Sequence, residues 1–204
     1  VDGQPYVAYI DESLGTSNTG PATVMKFDGT NWVNVGNAGF TPVTVGSPSL
    51  AFSPSGEPYV AYGAGCSNGN NAAVMKFDGT NWVFIGEGGF SEGTAIYTSR
   101  AFSPSGQPYV AYLEWATSNK TSVMKFDGTK FTTIPTGTHM RLYNVSYSSQ
   151  AGWLITGESG TLMTYDEPTG KVTTIATGLD DMLYNLNWKG NMALIVGGNG
   201  TILK

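Results

Sequence analysis

The stretch Val74–Thr80 reads VMKFDGT, and the same seven residues occur at Val24–Thr30 and at Val123–Thr129. The three copies begin 50 and 49 residues apart. Asp-Gly between two runs of alternating apolar and polar residues is a strong hairpin signal, because such tight turns need residues that tolerate a positive φ. The segment therefore predicts a strand, a tight turn and a second strand, repeated three times along the chain.

A second repeated segment lies next to the first. AFSPSGEPYVAY at Ala51–Tyr62 and AFSPSGQPYVAY at Ala101–Tyr112 differ at one position, and PYVAY also begins at Pro5. Identity of this degree comes from duplication or design. Each long unit therefore predicts four short strands: SLAFS, PYVAY after a Pro-Ser-Gly turn, AVMKF after a variable polar loop, and NWVFIG after the Asp-Gly turn.

A shorter repeat begins after about Gly137. LYNVSY at Leu142 returns 41 residues later as LYNLNW at Leu183, and GESGTLMTYD at Gly157 returns as GGNGTILK at Gly197. These units also read as short alternating strands separated by turns.

Units of four antiparallel strands at this period are typical of propeller blades, which stack radially because one blade cannot bury both of its faces. A parallel β-helix would have shorter coils and no recurring hairpins. The sequence predicts an all-β protein, a single β-propeller domain over residues 1–204, with five four-stranded blades. The first blade lacks its innermost strand and the last ends within its third. The expected blades span approximately 1–46, 47–97, 98–138, 139–180 and 181–204.

Two incomplete terminal blades leave exposed strand edges, which invite pairing with another strand. We expect the first and last blades to close against each other. Closure within one chain predicts a monomer, and closure by strand exchange predicts a dimer.

The long unit resembles the repeat of tachylectin-type five-bladed lectins, through NWVFIGEGGF at Asn81–Phe90 leading into SPSGQPYVAY. The third copy departs from that pattern, since Lys130 and Phe131 replace Asn and Trp and the Gly-Gly-Phe turn is missing. The short unit resembles WD-repeat and related blades, without their Trp-Asp pair. The resemblance to lectins implies amino-sugar binding at interblade pockets, and it also implies an extracellular location. Apart from this resemblance, the sequence assigns no compartment.

Two blade types in one chain indicate a fragment or a chimera of two propellers, natural or engineered. Gly137–Met140 reads Gly-Thr-His-Met, like a translated pair of cloning sites. The same segment aligns without gaps to the second short unit, which favours ordinary blade residues. Both interpretations stay open.

Composition argues against several classes of partner. The net charge is −5 and the ten basic residues are scattered, so no nucleic-acid partner is expected. The sequence contains no apolar run of about 18 residues, so no membrane partner is expected either. The single cysteine, Cys66, cannot form an internal disulfide.

Catalytic chemistry has little support in the sequence. His139 is the only histidine, so a His-based triad or a zinc site of His and Cys is disfavoured, and no cofactor or metal is expected. Asp11, Glu12 and Glu114 are candidates for a glycosidase pair, but they occupy loops of the first and third units. A glycosidase pair needs its two carboxyl groups about 5 to 9.5 Å apart, and loops of different units are not expected to bring them so close. The aspartates of the Asp-Gly turns have no neighbouring acids to complete a calcium site. The prediction is that the chain is not an enzyme.

The loops between the second and third strands, at 11–21, 63–72 and 114–120, differ among the long units, whereas the other turns are nearly constant. They share a rim with the connections Gly36–Gly39 with Phe40 and Gly86–Gly89 with Phe90. Variable loops on a constant scaffold are where binding residues concentrate. The candidate ligand-binding residues on this rim are Asn37, Phe40, Asn70, Glu87, Phe90 and Trp115.

The alternative for the rim aromatics is packing between blades. Under it Trp32 and Trp82 occupy equivalent buried positions on outer strands, with Phe131 in the third copy. The leading functional interpretation is a non-enzymatic propeller scaffold or binding domain. The alternative is a multivalent lectin that recognises amino sugars, with carbohydrate as its partner.

Overall fold

The computed structural model describes residues 3–15, 19–64, 71–114 and 120–204. The chain divides into two compact units. The first comprises Val1–Thr98 with Gly128–Lys130, and the second comprises Ser99–Asp127 with Phe131–Lys204.

The first unit contains two antiparallel sheets, each with its strands in chain order. The strands of the three-stranded first sheet are β1 (Tyr6–Ile10), β2 (Ala22–Phe27) and β3 (Trp32–Asn34). The strands of the four-stranded second sheet are β4 (Val45–Phe52), β5 (Pro58–Ala64), β6 (Ala72–Phe77) and β7 (Trp82–Phe84).

The third sheet has four strands, the first of which runs from the first unit into the second. These are β8 (Ala95–Phe102), β9 (Pro108–Glu114), β10 (Lys120–Phe126) and β11 (Phe131–Ile134). The fourth sheet is also four-stranded: β12 (Leu142–Ser148), β13 (Gly152–Gly157), β14 (Leu162–Asp166) and β15 (Lys171–Ile175). The fifth has three strands: β16 (Leu183–Lys189), β17 (Met192–Gly197) and β18 (Ile202–Leu203).

The turn chemistry accounts for these strands. In the β2–β3 hairpin the Asp28 carboxylate accepts hydrogen bonds from the backbone N–H groups of Thr30 and Asn31, both at 2.8 Å. The β6–β7 hairpin repeats this arrangement at Asp78. The predicted all-β fold of antiparallel sheets, with incomplete first and last sheets, is confirmed. The number of blades, their boundaries within a single domain, and closure of a ring stay predictions.

The innermost strand is longer than SLAFS, because β4 begins at Val45. A register shift between Gly46 and Ser49 interrupts its pairing with β5, and Ser47 has a φ of 47° there. A bulge of this kind lets the strand continue past a local break in the ladder.

The core of the first unit lies between its two sheets. Val24 and Val60 are fully buried and Tyr62 is nearly so, and Tyr6 packs edge-on against Phe52 with ring centroids 4.8 Å apart. In the second unit the rings of Tyr109 and Trp153 lie 3.9 Å apart, and Tyr147 lies 5.0 Å from Trp153. Each core therefore joins successive sheets through large side chains.

The outer-strand aromatics follow the packing prediction at two of three positions. Trp82 is 8% exposed and Phe131 is 7% exposed, as expected. Trp32 is 47% exposed, so its predicted burial is wrong. The physical reason lies in the neighbours: Trp82 packs against Val35 of the preceding sheet, whereas Trp32 belongs to the first sheet of its unit and has no preceding sheet there.

Candidate functional site

The connections that end in Phe40 and Phe90 are held by the first residues of β2 and β6, Ala22 and Ala72. The backbone N–H of Phe40 donates to the carbonyl oxygen of Ala22 at 3.0 Å. The Thr41 hydroxyl accepts from the N–H of Ala22 and donates to the carbonyl oxygen of Val43, both at 2.9 Å. Phe90 and Ser91 make the same bonds in the next repeat. The connection is thus a fixed part of the framework.

Phe40 is partly buried, and its ring stacks on Trp82 with centroids 4.2 Å apart and an interplanar angle of 16°. This contact supports the packing interpretation of Phe40. Phe90 is also partly buried, whereas Asn37 and Glu87 are exposed on the same connections. A role for these residues in ligand binding stays a prediction.

Two further candidates, Asn70 and Trp115, lie outside the described residues, as does Cys66. Among the rim aromatics that the sequence singled out, the structure brings Phe40 together with its packing partner Trp82.

A small pocket of about 120 Å³ lies beside the second connection, in the first unit. Phe84 is 40% exposed and closes it, with its ring against Gly88: a β carbon at Gly88 would lie 3.2 Å from the Phe84 Cζ. Ligand sites typically occupy about 300–1,000 Å³. The residues that line the pocket are Pro42, Val43, Tyr62, Asn71, Ala73, Phe84 and Gly88.

The corresponding place in the third repeat, which lies in the second unit, is larger at about 310 Å³. Ser122 and Thr133 stand there in place of Ala73 and Phe84. The short polar side chain at 133 leaves open the space that the Phe84 ring fills. The residues that line this pocket, named here the hydroxyl pocket, are Thr121, Ser122, Thr133, Ile134, Pro135, Thr136, Gly137, Thr138 and His139.

Five hydroxyl groups and the imidazole of His139 give the hydroxyl pocket both donors and acceptors. Two of the hydroxyls are already engaged, since Thr121 Oγ1 accepts the N–H of Leu142 at 2.8 Å and Thr138 Oγ1 accepts that of Met140 at 3.1 Å. The arrangement suits a polar molecule rich in hydroxyl or amide groups. Sequence reasoning missed Thr133 and treated His139 only as an isolated residue. The available signal was the Phe84 to Thr133 difference between aligned repeats.

Four carboxyl groups of the described residues have a pKa below the usual value, which favours their ionised form. Hydrogen bonds, first from the Ser13 hydroxyl and then from Thr23, hold the pKa of Asp11 below its usual value. Backbone N–H donors lower the pKa of Asp28 and Asp78, and the Thr201 hydroxyl lowers that of Asp181. A catalytic acid needs the opposite shift.

Within the described ranges, no three His, Cys, Asp or Glu side chains form a group that could hold a metal ion. In the same ranges no helix has the length and apolar character needed to cross a membrane.

No family model and no curated protein sequence matches the chain. Solved structures do match. A Dyadobacter fermentans protein of unknown function is 14% identical with a TM-score of 0.61, over 96% of this chain and 72% of that protein. YCF48 bound to a D1 peptide is 15% identical with a TM-score of 0.57, over 89% of this chain.

The exo-β-1,3-galactanase of Phanerochaete chrysosporium, in complex with β-1,3-galactotriose, is 13% identical with a TM-score of 0.57 over 97% of this chain. The chain spans only 57% of YCF48 and 54% of the galactanase. At such identities the likeness shows the fold alone. Together with the antiparallel sheets, it identifies the chain as an all-β protein of the β-propeller fold.

Proposed function

We propose that the chain is a non-enzymatic β-propeller that serves as a binding scaffold. One observation carries the proposal: the second and third repeats keep the order of their strands and the Asp-Gly turn but change the side chains that line one pocket. Ala73 and Phe84 close that pocket in the second repeat, and Ser122 and Thr133 open it in the third. A constant frame with a varied pocket is the arrangement expected of a binding protein.

The acidity of Asp11 argues against this residue as the general acid of a glycosidase. A glycosidase needs a carboxylic acid whose pKa is raised, so that it can protonate the leaving group. Asp11, one of the glycosidase candidates, has its pKa lowered by the Ser13 and Thr23 hydroxyls. Its carboxylate is occupied as a hydrogen-bond acceptor and is a poor proton donor at neutral pH.

The second candidate function is carbohydrate binding. The lining of the hydroxyl pocket favours it, because sugar hydroxyl groups pair with side chains that both donate and accept. Its volume, about 310 Å³, lies at the lower end of the range typical of ligand sites. An amino sugar is the ligand class that we assign to this candidate.

A glycan array followed by titration calorimetry with N-acetylglucosamine tests this function. The matched variant is Thr133→Phe, which copies Phe84 of the second repeat and should close the pocket without disturbing the fold. Binding that is lost in Thr133→Phe supports the lectin function. If the array is blank and no heat appears at millimolar sugar, the lectin function is excluded and the scaffold remains.

The scaffold proposal has its own test. The protein is assayed against a panel of chromogenic glycosides and esters. Turnover that disappears in Asp11→Asn or Glu114→Gln would overturn the non-enzymatic role.

A further inference from the structure

The first strand of the third sheet, β8, carries an arginine where the second sheet has a leucine. Residues 51–62 and 101–112 differ at one position, and the residues just before them are Leu50 and Arg100. Leu50 lies opposite Val60 in the pairing of β4 with β5, and it packs against the apolar core of the first unit. A position that suits an apolar side chain in one repeat therefore holds a guanidinium group in the next.

The neighbours of Arg100 show which face of β8 it occupies. The Ser99 hydroxyl accepts the backbone N–H of Val145 in the fourth sheet at 3.3 Å, and Ala101 packs against the core that contains Trp153. Successive side chains of a strand point to opposite faces, so Arg100 lies on the face of β8 that is turned away from that core. Its own sheet therefore separates Arg100 from the polar groups of the fourth sheet.

The guanidinium group of Arg100 has no partner among the described residues. Its Nε is buried, and no described residue accepts a hydrogen bond from it. The chain has one other arginine, Arg141, whose Nη1 lies 3.5 Å from Glu158 Oε1. Buried charged groups are ordinarily paired, because an unpaired charge loses its hydration without compensation. Within the described ranges, Arg141 thus has a counter-ion and Arg100 has none.

Only part of this guanidinium group is enclosed. Nε is buried, whereas the two terminal nitrogens keep some exposure, and the side chain as a whole is partly buried. Burial lowers the pKa of Arg100 to about 9, because its surroundings stabilise the charge poorly. The group still carries its charge at neutral pH. Its terminal nitrogens are therefore the atoms through which a dissolved anion can compensate that charge.

We propose that Arg100 binds a small carboxylate anion through its two terminal nitrogens. The two oxygens of a carboxylate accept two parallel N–H bonds from the guanidinium fork, and its single charge balances that of the arginine. A phosphate dianion fits less well, because no other charged side chain acts on Arg100 to balance the second charge. Arg100 is not a residue of the hydroxyl pocket, and the proposal does not depend on carbohydrate binding.

The probe is sodium acetate, and sodium chloride at the same ionic strength is the reference. Two charge-assisted hydrogen bonds correspond to a dissociation constant on the order of 1 mM. A ligand that binds only the folded state raises the unfolding temperature, so about 100 mM acetate should raise it by about 5–10 °C relative to chloride. In ¹⁵N-labelled protein, the Nε–H resonance of Arg100 should shift along a saturable curve with the same constant.

Arg100→Leu is the matched variant, because it copies Leu50 of the preceding repeat. It removes the unpaired charge, so it should unfold at a higher temperature than the wild type in chloride and gain nothing further from acetate. The loss of its Nε–H resonance assigns the wild-type signal. Arg100→Lys keeps the charge without the fork and should bind acetate about tenfold more weakly, which provides a second variant if Arg100→Leu folds poorly. Arg141→Gln is the control and should keep the wild-type response to acetate.

Three results would overturn the proposal. One is an equal acetate response of the unfolding temperature in Arg100→Leu and the wild type, which would mean that acetate acts on the protein generally. Another is an Arg100 Nε–H resonance that acetate leaves unmoved, which would mean that no carboxylate reaches the guanidinium group. The third is a larger Arg100-dependent shift with sodium phosphate than with acetate, which would mean that the site prefers a dianion.

Discussion

The indole N–H of Trp82 donates to the backbone carbonyl oxygen of Val35 at 2.7 Å. This bond joins β7 of the second sheet to the residue that follows β3 of the first. Phe40 stacks on the other side of the contact, and Gly36 leaves the space that the indole needs. One tryptophan therefore supplies apolar burial, ring stacking and a hydrogen bond at the same place.

The first prediction concerns this tryptophan and its repeat counterpart. Trp82→Ala should lower the free energy of unfolding by about 3–5 kcal/mol, the range for large buried aromatics. Trp82→Phe should cost about 1–2 kcal/mol, because the Val35 carbonyl loses its donor. Trp32→Ala is the matched control and should cost less than about 1 kcal/mol, since Trp32 is 47% exposed. Urea unfolding measures all three, and equal losses at the two positions would contradict the packing.

The second prediction separates crowding from backbone strain. Gly36 and Gly56 both have positive φ, 75° and 87°. A β carbon at Gly36 would lie 2.9 Å from Phe77 Cε2 and 3.1 Å from Trp82 Cδ1, whereas one at Gly56 would meet nothing within 4 Å. Gly56→Ala should cost about 1–2 kcal/mol from the left-handed backbone alone. Gly36→Ala should cost a further 1–3 kcal/mol, roughly, from overpacking. Thermal unfolding measures the loss of stability in both variants. Similar losses would mean that the side chains around Gly36 move freely to accommodate the added methyl group.

The comparison of Trp32 with Trp82 shows that the sequence predicts the hairpin but not the burial of its tryptophan. Residues 27–33 and 77–83 read FDGTNWV in both repeats, and both form the predicted hairpin. Local chemistry decides the hairpin, because Asp and Gly satisfy the turn in either copy. Burial depends on which sheet lies next to the hairpin, and that information is not in the seven residues. The same prediction of burial was therefore correct for Trp82 and wrong for Trp32.

The candidate sites illustrate the same limit. The binding rim inferred from loop variation stays a prediction, and Phe40, one of its aromatics, packs on Trp82. The hydroxyl pocket coincides with two differences between repeats, Ser122 for Ala73 and Thr133 for Phe84. Each difference is visible in an alignment of the chain with itself. Its effect on volume becomes apparent only when the neighbouring side chains are known.

A third prediction follows from the Asp-Gly turns. Hydrogen bonds from the N–H groups of Asn81 and Thr80 hold the pKa of Asp78 below its usual value of 3.8. A lowered folded pKa means that this carboxylate stabilises the fold above pH of about 4 and loses that contribution as the pH falls through its folded pKa. Asp78→Asn keeps an oxygen acceptor but does not titrate, so its stability should fall less steeply in acid. Parallel acid-unfolding curves of the wild type and Asp78→Asn would contradict this.

The last prediction concerns the ring cluster of the second unit, in which Tyr109 is fully buried against Trp153. Burial raises the pKa of Tyr109, and the Glu167 carboxylate adds to the shift. A raised folded pKa favours the neutral phenol, so its contribution to stability is complete below pH of about 10 and is lost at higher pH. Tyr109→Phe should therefore flatten the alkaline decline in stability.

Trp153→Ala removes the ring that covers Tyr109 and copies the alanine of the next repeat. We expect a loss of about 3–5 kcal/mol on urea unfolding, since the cavity is lined by rings that cannot easily collapse. The exposed phenol should then ionise at lower pH in a spectrophotometric titration of the folded variant. Trp153→Phe retains most of the cover and loses only the indole N–H that donates to Glu167, so Tyr109 should stay protonated. If Trp153→Ala leaves the tyrosine titration unchanged, Tyr109 is shielded by residues other than Trp153.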